Sequence, residues 1–250
     1  MSERIRIGIQ MWTVRESMAK DPEGTIRAVA AAGYEGVQFA GWFGLSAQKL
    51  ADILASCGIA AAGAHVDFGL LRQDERAQFD FAHALGLSYI TVPWIQPELL
   101  LESGTLGELR RLSHDAAADG LVLSYHNHDR EFAPGPEGYP MDRLMDAVPE
   151  LKMELDMYWA AFAGADPVGY LKKYCGRVPS VHIKDMPKNA QRDAVNPNIG
   201  EGELDIPGYL SAAQANGAGW AFVEMDKCSG PETESARISM KNILKMGYGA

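Results

Sequence analysis

Four side chains in this sequence have the types and spacing needed to hold a divalent cation. His126 follows the run Leu121-Val122-Leu123-Ser124-Tyr125, and Asp156 closes Leu151-Lys152-Met153-Glu154-Leu155. His182 follows Val178-Pro179-Ser180-Val181, and Glu224 follows Trp220-Ala221-Phe222-Val223. Each stands where a short apolar run ends. Two neutral imidazoles and two carboxylates balance the charge of a divalent ion and leave coordination positions for substrate oxygens. Mixed nitrogen and oxygen donors suit Mn, Zn, Co, Fe or Mg and do not choose among them. Any one of these residues alone is as readily a hydrogen-bonded or solvated side chain. Their recurrence at four consecutive run ends points to a metal.

Other groups gather at equivalent places. Lys184 and Asp185 follow His182 directly. A lysine there could move a proton if the metal lowered its pKa, or it could form a surface ion pair. Gln10 and His65 end earlier runs and could hydrogen-bond substrate hydroxyls, while His128 and Glu131 lie just beyond His126 as supports of the ligands or as solvated groups. Trp12, Trp42, Phe68, Trp94 and Trp159 each follow an apolar run almost at once, where flat apolar faces could stack on a sugar ring or pack beneath loops. His83 and His114 fall within helical stretches and take structural roles.

These residues act together only if the runs that carry them are neighbouring strands. The first run, Arg4 to Gln10, alternates apolar residues, and a helix follows from Pro22 with Asp21 as its cap, ending at Gly33. Tyr34 to Phe39, Ile59 to His65 and Ser88 to Pro93 are further strands, separated by helices from Ser46 to Gly58 and from Gln73 to Leu85. A helix from Thr105 to Ala118 leads into the His126 strand. Helices from Met141 to Ala147, Asp166 to Tyr174, Ile206 to Asn216 and Glu232 to Lys245 space or close the remaining strands. The polar stretch from Met186 to Glu203 is long enough to be functional or mobile. Eight strands alternating with eight helices, in one domain over residues 1–250, predict a single (β/α)8 TIM barrel, whose chemistry sits at the C-terminal strand ends. An open doubly wound sheet is the competitor, weakened by the lack of a G-x-G-x-x-G turn after the first strand.

A net charge of −10 over 250 residues argues against a phosphate-backbone partner, and no apolar run is long enough for a membrane span. The N-terminus enters the first strand almost directly and lacks a signal-peptide apolar region. Cys57, Cys175 and Cys228, odd in number and widely spaced, fit reduced thiols in a cytoplasmic protein. The expected partner is a small carbohydrate or polyol, with no nucleic acid and no membrane, and a homo-oligomer is open to such a chain.

Tyr125-His126-Asn127-His128-Asp129, followed by Glu131-Phe132, resembles the YHNHD-x-EF signature of a branch of the sugar phosphate isomerase/epimerase family, whose members are xylose-isomerase-like barrels. Glu154-Leu155-Asp156-Met157-Tyr158-Trp159, Val181-His182-Ile183-Lys184-Asp185 and Gly200-Glu201-Gly202-Glu203-Leu204-Asp205 are similar to its later motifs, in order. The segment Gly33 to Gly41 resembles its second-strand motif, with Gln38 where glutamate is common. The resemblance implies a metal-dependent isomerase/epimerase-type enzyme acting on a sugar, keto-sugar or cyclitol through a metal-stabilised enediolate, with Glu224 or Lys184 moving the proton. A dehydratase or lyase at the same site is the alternative. Substrate contacts are expected from Trp12, Gln10, His65, Trp94, His128 and Trp159 because they stand at or just beyond strand ends. Epimerases of the family place glutamates on strands five and eight as two opposed bases. Here the fifth-strand position holds His126, so isomerase, dehydratase and lyase outcomes all remain open. A non-catalytic sugar-binding barrel is the rival from another class, and a DNA-repair nuclease a third that the acidic balance opposes.

Overall fold

The computed structural model describes residues 4–249; the part of the N-terminal reading that rests on residues 1–3 lies outside them. Eight strands form the centre: Arg6–Gln10 (β1), Gly36–Ala40 (β2), Ala60–His65 (β3), Tyr89–Val92 (β4), Val122–His126 (β5), Lys152–Asp156 (β6), Ser180–Ile183 (β7) and Trp220–Val223 (β8). They pair in parallel and in chain order, and β8 returns to β1 to close an eight-stranded barrel. Along each strand the side chains alternate, as a pleated backbone requires. Ile7, Ile9, Val37, Leu123, Met153, Leu155, Val181 and Val223 point outward into the core beneath the helices, and all are buried.

The inward-facing residues change character from one end of the barrel to the other. At the N-terminal end Trp220 and Phe222 stack with ring centroids 5.7 Å apart, joined by Tyr89 and Ala62. These rings fit because β1 and β2 face them with glycines. A Cβ built on Gly8 would lie 2.6 Å from Phe222, and one on Gly36 would lie 2.6 Å from Trp220. Higher up the interior is polar, with Gln10, Gln38, Thr91, Ser124, Glu154, Ser180 and His182 all fully buried.

Local signals account for most helix starts. Asp21 accepts from Gly24 N with Pro22 in the first turn, Ser46 accepts from Lys49 N, Asp166 from Val168 N, and Asp205 from Gly208 N. Gly58, at φ 66°, ends the helix Ala47–Cys57 in the left-handed region. Four features depart from the sequence reading. A 3-10 turn Met11–Val14 and a short helix Arg15–Lys20 follow β1, and another short helix, Met157–Phe162, follows β6. The helix after β3 begins at Phe68, capped by Asp67, and breaks its geometry at Asp74 before continuing to Ala84. The 186–205 connection is pinned down: Asp185 accepts backbone N–H groups from Met186, Gly200, Gly202 and Leu204, and Asn196 Oδ1 accepts from Asp226 N. Buried acceptors thus replace regular structure along this loop. Cys57, Cys175 and Cys228 are free thiols.

Candidate metal centre

His126, Asp156, His182 and Glu224 converge at the C-terminal end of the barrel, with one ligand atom of each lying within 4.8 Å of all the others. All four are buried. Convergence follows from register: Asp156 pairs with His182 across β6 and β7, and Glu224 N bonds to Ile183 O just beyond β8. His182 Nδ1 lies 2.7 Å from Glu224 Oε2, and His126 Nε2 lies 3.8 Å from Asp156 Oδ2.

The sequence motifs brace these ligands. Asn127 grips the strand next door, its Oδ1 accepting from Asp156 N at 2.9 Å and its Nδ2 donating to Asp156 O at 3.2 Å. Glu131 is buried and accepts from Tyr125 Oη and His128 N, locking the turn that follows His126. Asp156 spends Oδ1 on Trp159 N, which starts the short helix Met157–Phe162.

A deeper set of polar groups lies two residues back along the strands. Glu154 Oε2 accepts from Gln38 Nε2 at 2.6 Å and Ser180 Oγ at 2.7 Å, while its Oε1 faces His65 Nε2 at 2.7 Å and His182 Nε2 at 3.1 Å. His65, His126, Glu154 and His182 form a second group of potential ligands within 4.8 Å of one another. Neither Glu154 nor Gln38 was singled out as a site residue from sequence. The available signal was the strand period, because Glu154 must face the same way as Asp156.

Electrostatics divide the imidazoles into two states. Burial, with His182, His128 and His65 nearby, holds His126 well below its usual range, leaving it neutral with a lone pair to offer. His128 is pushed down to about 3, by burial and then by the Lys184 charge. Burial opposes charge on His182 as well, but Glu154 and Glu224 overcome it and raise the group to about 10. Burial raises Asp156 to about 6 despite the pull of Lys184 and His182. Glu224 is lowered, because Lys184 and His182 outweigh the cost of burying it.

Lys184 requires a correction to the sequence reading. Its Nζ lies 2.9 Å from Asp226 Oδ2, 3.1 Å from Glu224 Oε2 and 3.2 Å from Asp156 Oδ2, and only 1% of the side chain is exposed. Burial disfavours the ammonium, yet Asp156, Asp226 and Glu224 raise its pKa well above the usual lysine range. The group is a buried ammonium among three carboxylates and not a surface ion pair. It is a held proton beside the ligands.

Two other expectations change. Gln10 is fully buried, donating to Gln38 Oε1 and accepting from Trp12 N, so its side chain ties β1 to β2 and faces no open space. Trp159 is 5% exposed and sits behind the ligands, 5.4 Å from Lys184 Nζ and 6.0 Å from the His128 ring. Arg192, on the connection after β7, lies over its ring at 5.9 Å, and Trp159 is not part of the cleft lining.

The remaining residues line an open cleft of about 500 Å³. His65, His126, His128, Glu224 and Asp226 give it polar surface, while Trp12, Trp42, Leu70 and Trp94 give it apolar surface. Trp12 and Trp94 are 45% and 47% exposed. Trp42 is anchored by stacking on Phe81 at 4.2 Å and by donating to Gln78. His83 pairs with Asp119 and His114 with Asp115 on outer helices, remote from the cleft lining.

The residues present fit a divalent ion. The donor set mixes imidazole and carboxylate, and Asp156 Oδ2 is buried without a well-aligned hydrogen bond although Lys184 Nζ stands 3.2 Å away. Either cluster can coordinate such an ion through side chains alone.

Known proteins resemble this chain in sequence or in fold. The rhizopine catabolism protein MocC of Rhizobium meliloti is 25% identical over the whole chain and 90% of its own length. An inosose dehydratase of Clostridium botulinum is 24% identical over 90% of this chain and 91% of its own. The crystal structure of a sugar phosphate isomerase/epimerase from Parabacteroides distasonis superimposes with a TM-score of 0.78 at 20% identity, covering 96% of this chain and 93% of that one. A profile described as the xylose isomerase-like TIM barrel matches residues 26–246, and with that match and this barrel the chain belongs to the xylose isomerase-like TIM barrel family.

Proposed function

We propose that the chain is a metal-dependent enzyme that removes the proton beside a carbonyl group in a keto-sugar or cyclitol, and that loss of a neighbouring hydroxyl, a dehydration, is the favoured outcome. One observation carries the choice. Within the ligand cluster every carboxylate comes from the β6 or β8 end, and β5 supplies His126. A two-base epimerisation needs a carboxylate on each face of the substrate, and an imidazole bound through its lone pair is a poor carbon base. Proton removal and return on one face remain. That fits dehydration, and it fits aldose–ketose isomerisation as the second reading.

A divalent ion held by His126, Asp156, His182 and Glu224 would supply a Lewis acid for adjacent carbonyl and hydroxyl oxygens. Glu224 borders the cleft as an ionised carboxylate and is the group placed to accept the carbon-bound proton. Lys184 keeps its ammonium 3.1 Å from that carboxylate and favours its ionised form, and Glu224 would return the proton to the departing oxygen on the same face. The indoles of Trp12 and Trp94 offer flat faces for the C–H surface of a ring. Similarity to an inosose dehydratase over nine-tenths of both chains supports a cyclitol ketone as substrate. We place the reaction in the cytoplasm, with a small polyol as partner and neither nucleic acid nor membrane, in keeping with the acidic balance. Among the described residues no helix is long and apolar enough to cross a membrane.

The test is incubation of Mn-, Co- or Mg-loaded protein with keto-sugars and keto-inositols in deuterated water. Carbon-bound deuterium or an unsaturated ketone is the expected product. Ligand binding with neither deuterium uptake nor elimination would make the chain a non-catalytic sugar-binding barrel.

A further inference from the structure

The two ligand clusters share His126 and His182 but address opposite nitrogens of each. Toward the cleft, His182 presents Nδ1 to Glu224 and His126 presents Nε2 to Asp156. Toward the interior, His182 Nε2 hydrogen-bonds Gln38 Oε1 at 2.7 Å and lies 3.1 Å from Glu154 Oε1, and His126 Nδ1 lies 3.7 Å from the same carboxylate. An imidazole bound to a cation through one nitrogen keeps its proton on the other, so filling one position requires N–H groups at the other. We infer that the barrel offers one cation two mutually exclusive positions: an outer one open to substrate, and an inner one made by His65, His126, His182 and Glu154 that takes zinc and closes it off from the reaction.

The separations of the three inner nitrogens from Glu154 Oε1 bracket the edge of a zinc tetrahedron. Ligand atoms about 2.05 Å from a central zinc stand about 3.3 Å apart. Around Glu154 Oε1 the separations are 2.7 Å to His65 Nε2, 3.1 Å to His182 Nε2 and 3.7 Å to His126 Nδ1. His126 Nδ1 is a buried nitrogen with no hydrogen-bond partner, aimed into this group. The surroundings are also those of a built site. Glu154 Oε2 is held by Gln38 and Ser180, leaving Oε1 for a cation, and Gln38 Oε1 still accepts from Gln10 if His182 turns its nitrogen to a metal. Glu224 would then accept the proton on His182 Nδ1, becoming an outer support of the inner ion. Three nitrogens and one oxygen suit zinc, whereas the outer set of two nitrogens and two oxygens suits Mn or Mg better. Zinc held tetrahedrally by four protein groups has no position left for substrate, as in structural zinc sites, whereas a six-coordinate Mn or Mg on the four outer groups keeps two.

This inference needs the outer cluster but no particular reaction, so it can be tested without substrate. Crystals loaded separately with zinc and manganese, with data at each absorption edge, should place zinc against Glu154 and His65 and manganese against Asp156 and Glu224. Total metal should be one ion per chain in each case. In solution, His65→Asn should weaken zinc binding at least 10-fold and leave manganese binding within about 2-fold, while Asp156→Asn should do the reverse. Cobalt provides a check that does not depend on variants folding: an inner, four-coordinate ion gives intense visible absorption and an outer one gives weak bands. Zinc found against Asp156 and Glu224, or two ions bound at once, would overturn the inference. Absence of deuterium exchange would refute the proposed reaction and leave this result untouched.

Discussion

The two ends of the barrel interior are built on opposite physical terms. The N-terminal end is filled by shape: Trp220, Phe222 and Tyr89 occupy volume that glycines on β1 and β2 leave free. The C-terminal end is filled by charge and hydrogen bonds, with Glu154, His182, Lys184, Asp156 and Glu224 each held by oppositely charged or polar neighbours. A packed end tolerates change according to volume. A polar end tolerates change only while every buried group keeps a partner. The lower half should therefore govern stability and the upper half chemistry, and exchanging those dependences would break the comparison.

The largest separation is expected at Glu224. Glu224→Gln keeps the shape but removes the carboxylate that borders the cleft, so kcat should fall by about 10²–10⁴-fold, the usual contribution of a positioned base. Thermal unfolding should change far less than activity, and a loss of both in proportion would mean the residue is mainly structural. The mirror case is Trp220→Ala. It empties a buried indole site stacked on Phe222 and should cost about 3–5 kcal/mol of stability, read from denaturant midpoints, with bound metal per folded chain unchanged.

Protonation sharpens the contrast. His182 is raised to about 10 in the folded chain by Glu154 and Glu224 against the cost of burial. A raised pKa contributes stability that is complete below the unfolded value, near 6.5, and is lost as pH rises through the folded value. The metal-free protein should lose stability, of the order of 4–5 kcal/mol, between pH about 6.5 and 10. Metal-loaded protein should lack that decline, because a cation on His182 replaces one of its two protons. Melting curves of both forms across this window decide the matter, and a flat metal-free profile would contradict the assigned imidazolium.

How much of this was legible in the chain is itself explained by the two ends. The barrel and its four outer ligands could be read because His126, Asp156, His182 and Glu224 each close an apolar run, and the ends of parallel strands must meet. Glu154 escaped notice because it sits inside such a run and looks like an interruption of it. Its role depends on His65 and Gln38, which approach from across the barrel. Strand periodicity tells which way a side chain points, but gives no distance to what it meets. Lys184 failed for a related reason: one carboxylate beside it would leave a surface pair, while three around it make a buried ammonium. Gln10 and Trp159 stand at strand exits, where substrate contacts are expected, yet the alternation of β1 turns Gln10 onto Gln38 inside the barrel and Arg192 covers the Trp159 ring.

Asn127 tests whether the polar end depends on its braces as well as its ligands. Asn127→Ala would leave the buried Asp156 N–H without its acceptor, at a cost of about 1–3 kcal/mol. Asp156 would also lose its fixed position beside His126, so outer-site metal affinity should fall together with stability. A variant that loses stability while binding manganese as tightly as the parent would show that the brace serves the fold alone.

The smallest effect is expected at the mouth, which belongs to neither end. Trp94 is 47% exposed and lines the cleft, so truncating it removes little buried area and should leave the melting temperature within about a degree. Its contribution should appear only with substrate bound. Stacking of a ring face on an indole contributes about 0.5–1.5 kcal/mol, so Trp94→Ala should raise KM by about 2- to 12-fold. The proton-moving groups lie at the strand ends, and an indole contact made equally in the ground and transition states leaves kcat unchanged. Unchanged KM for every substrate that turns over would remove this indole from the binding surface. A fall in kcat without a rise in KM would instead mean that Trp94 orients the reacting carbon over Glu224, extending the chemical half of the barrel outward to its rim.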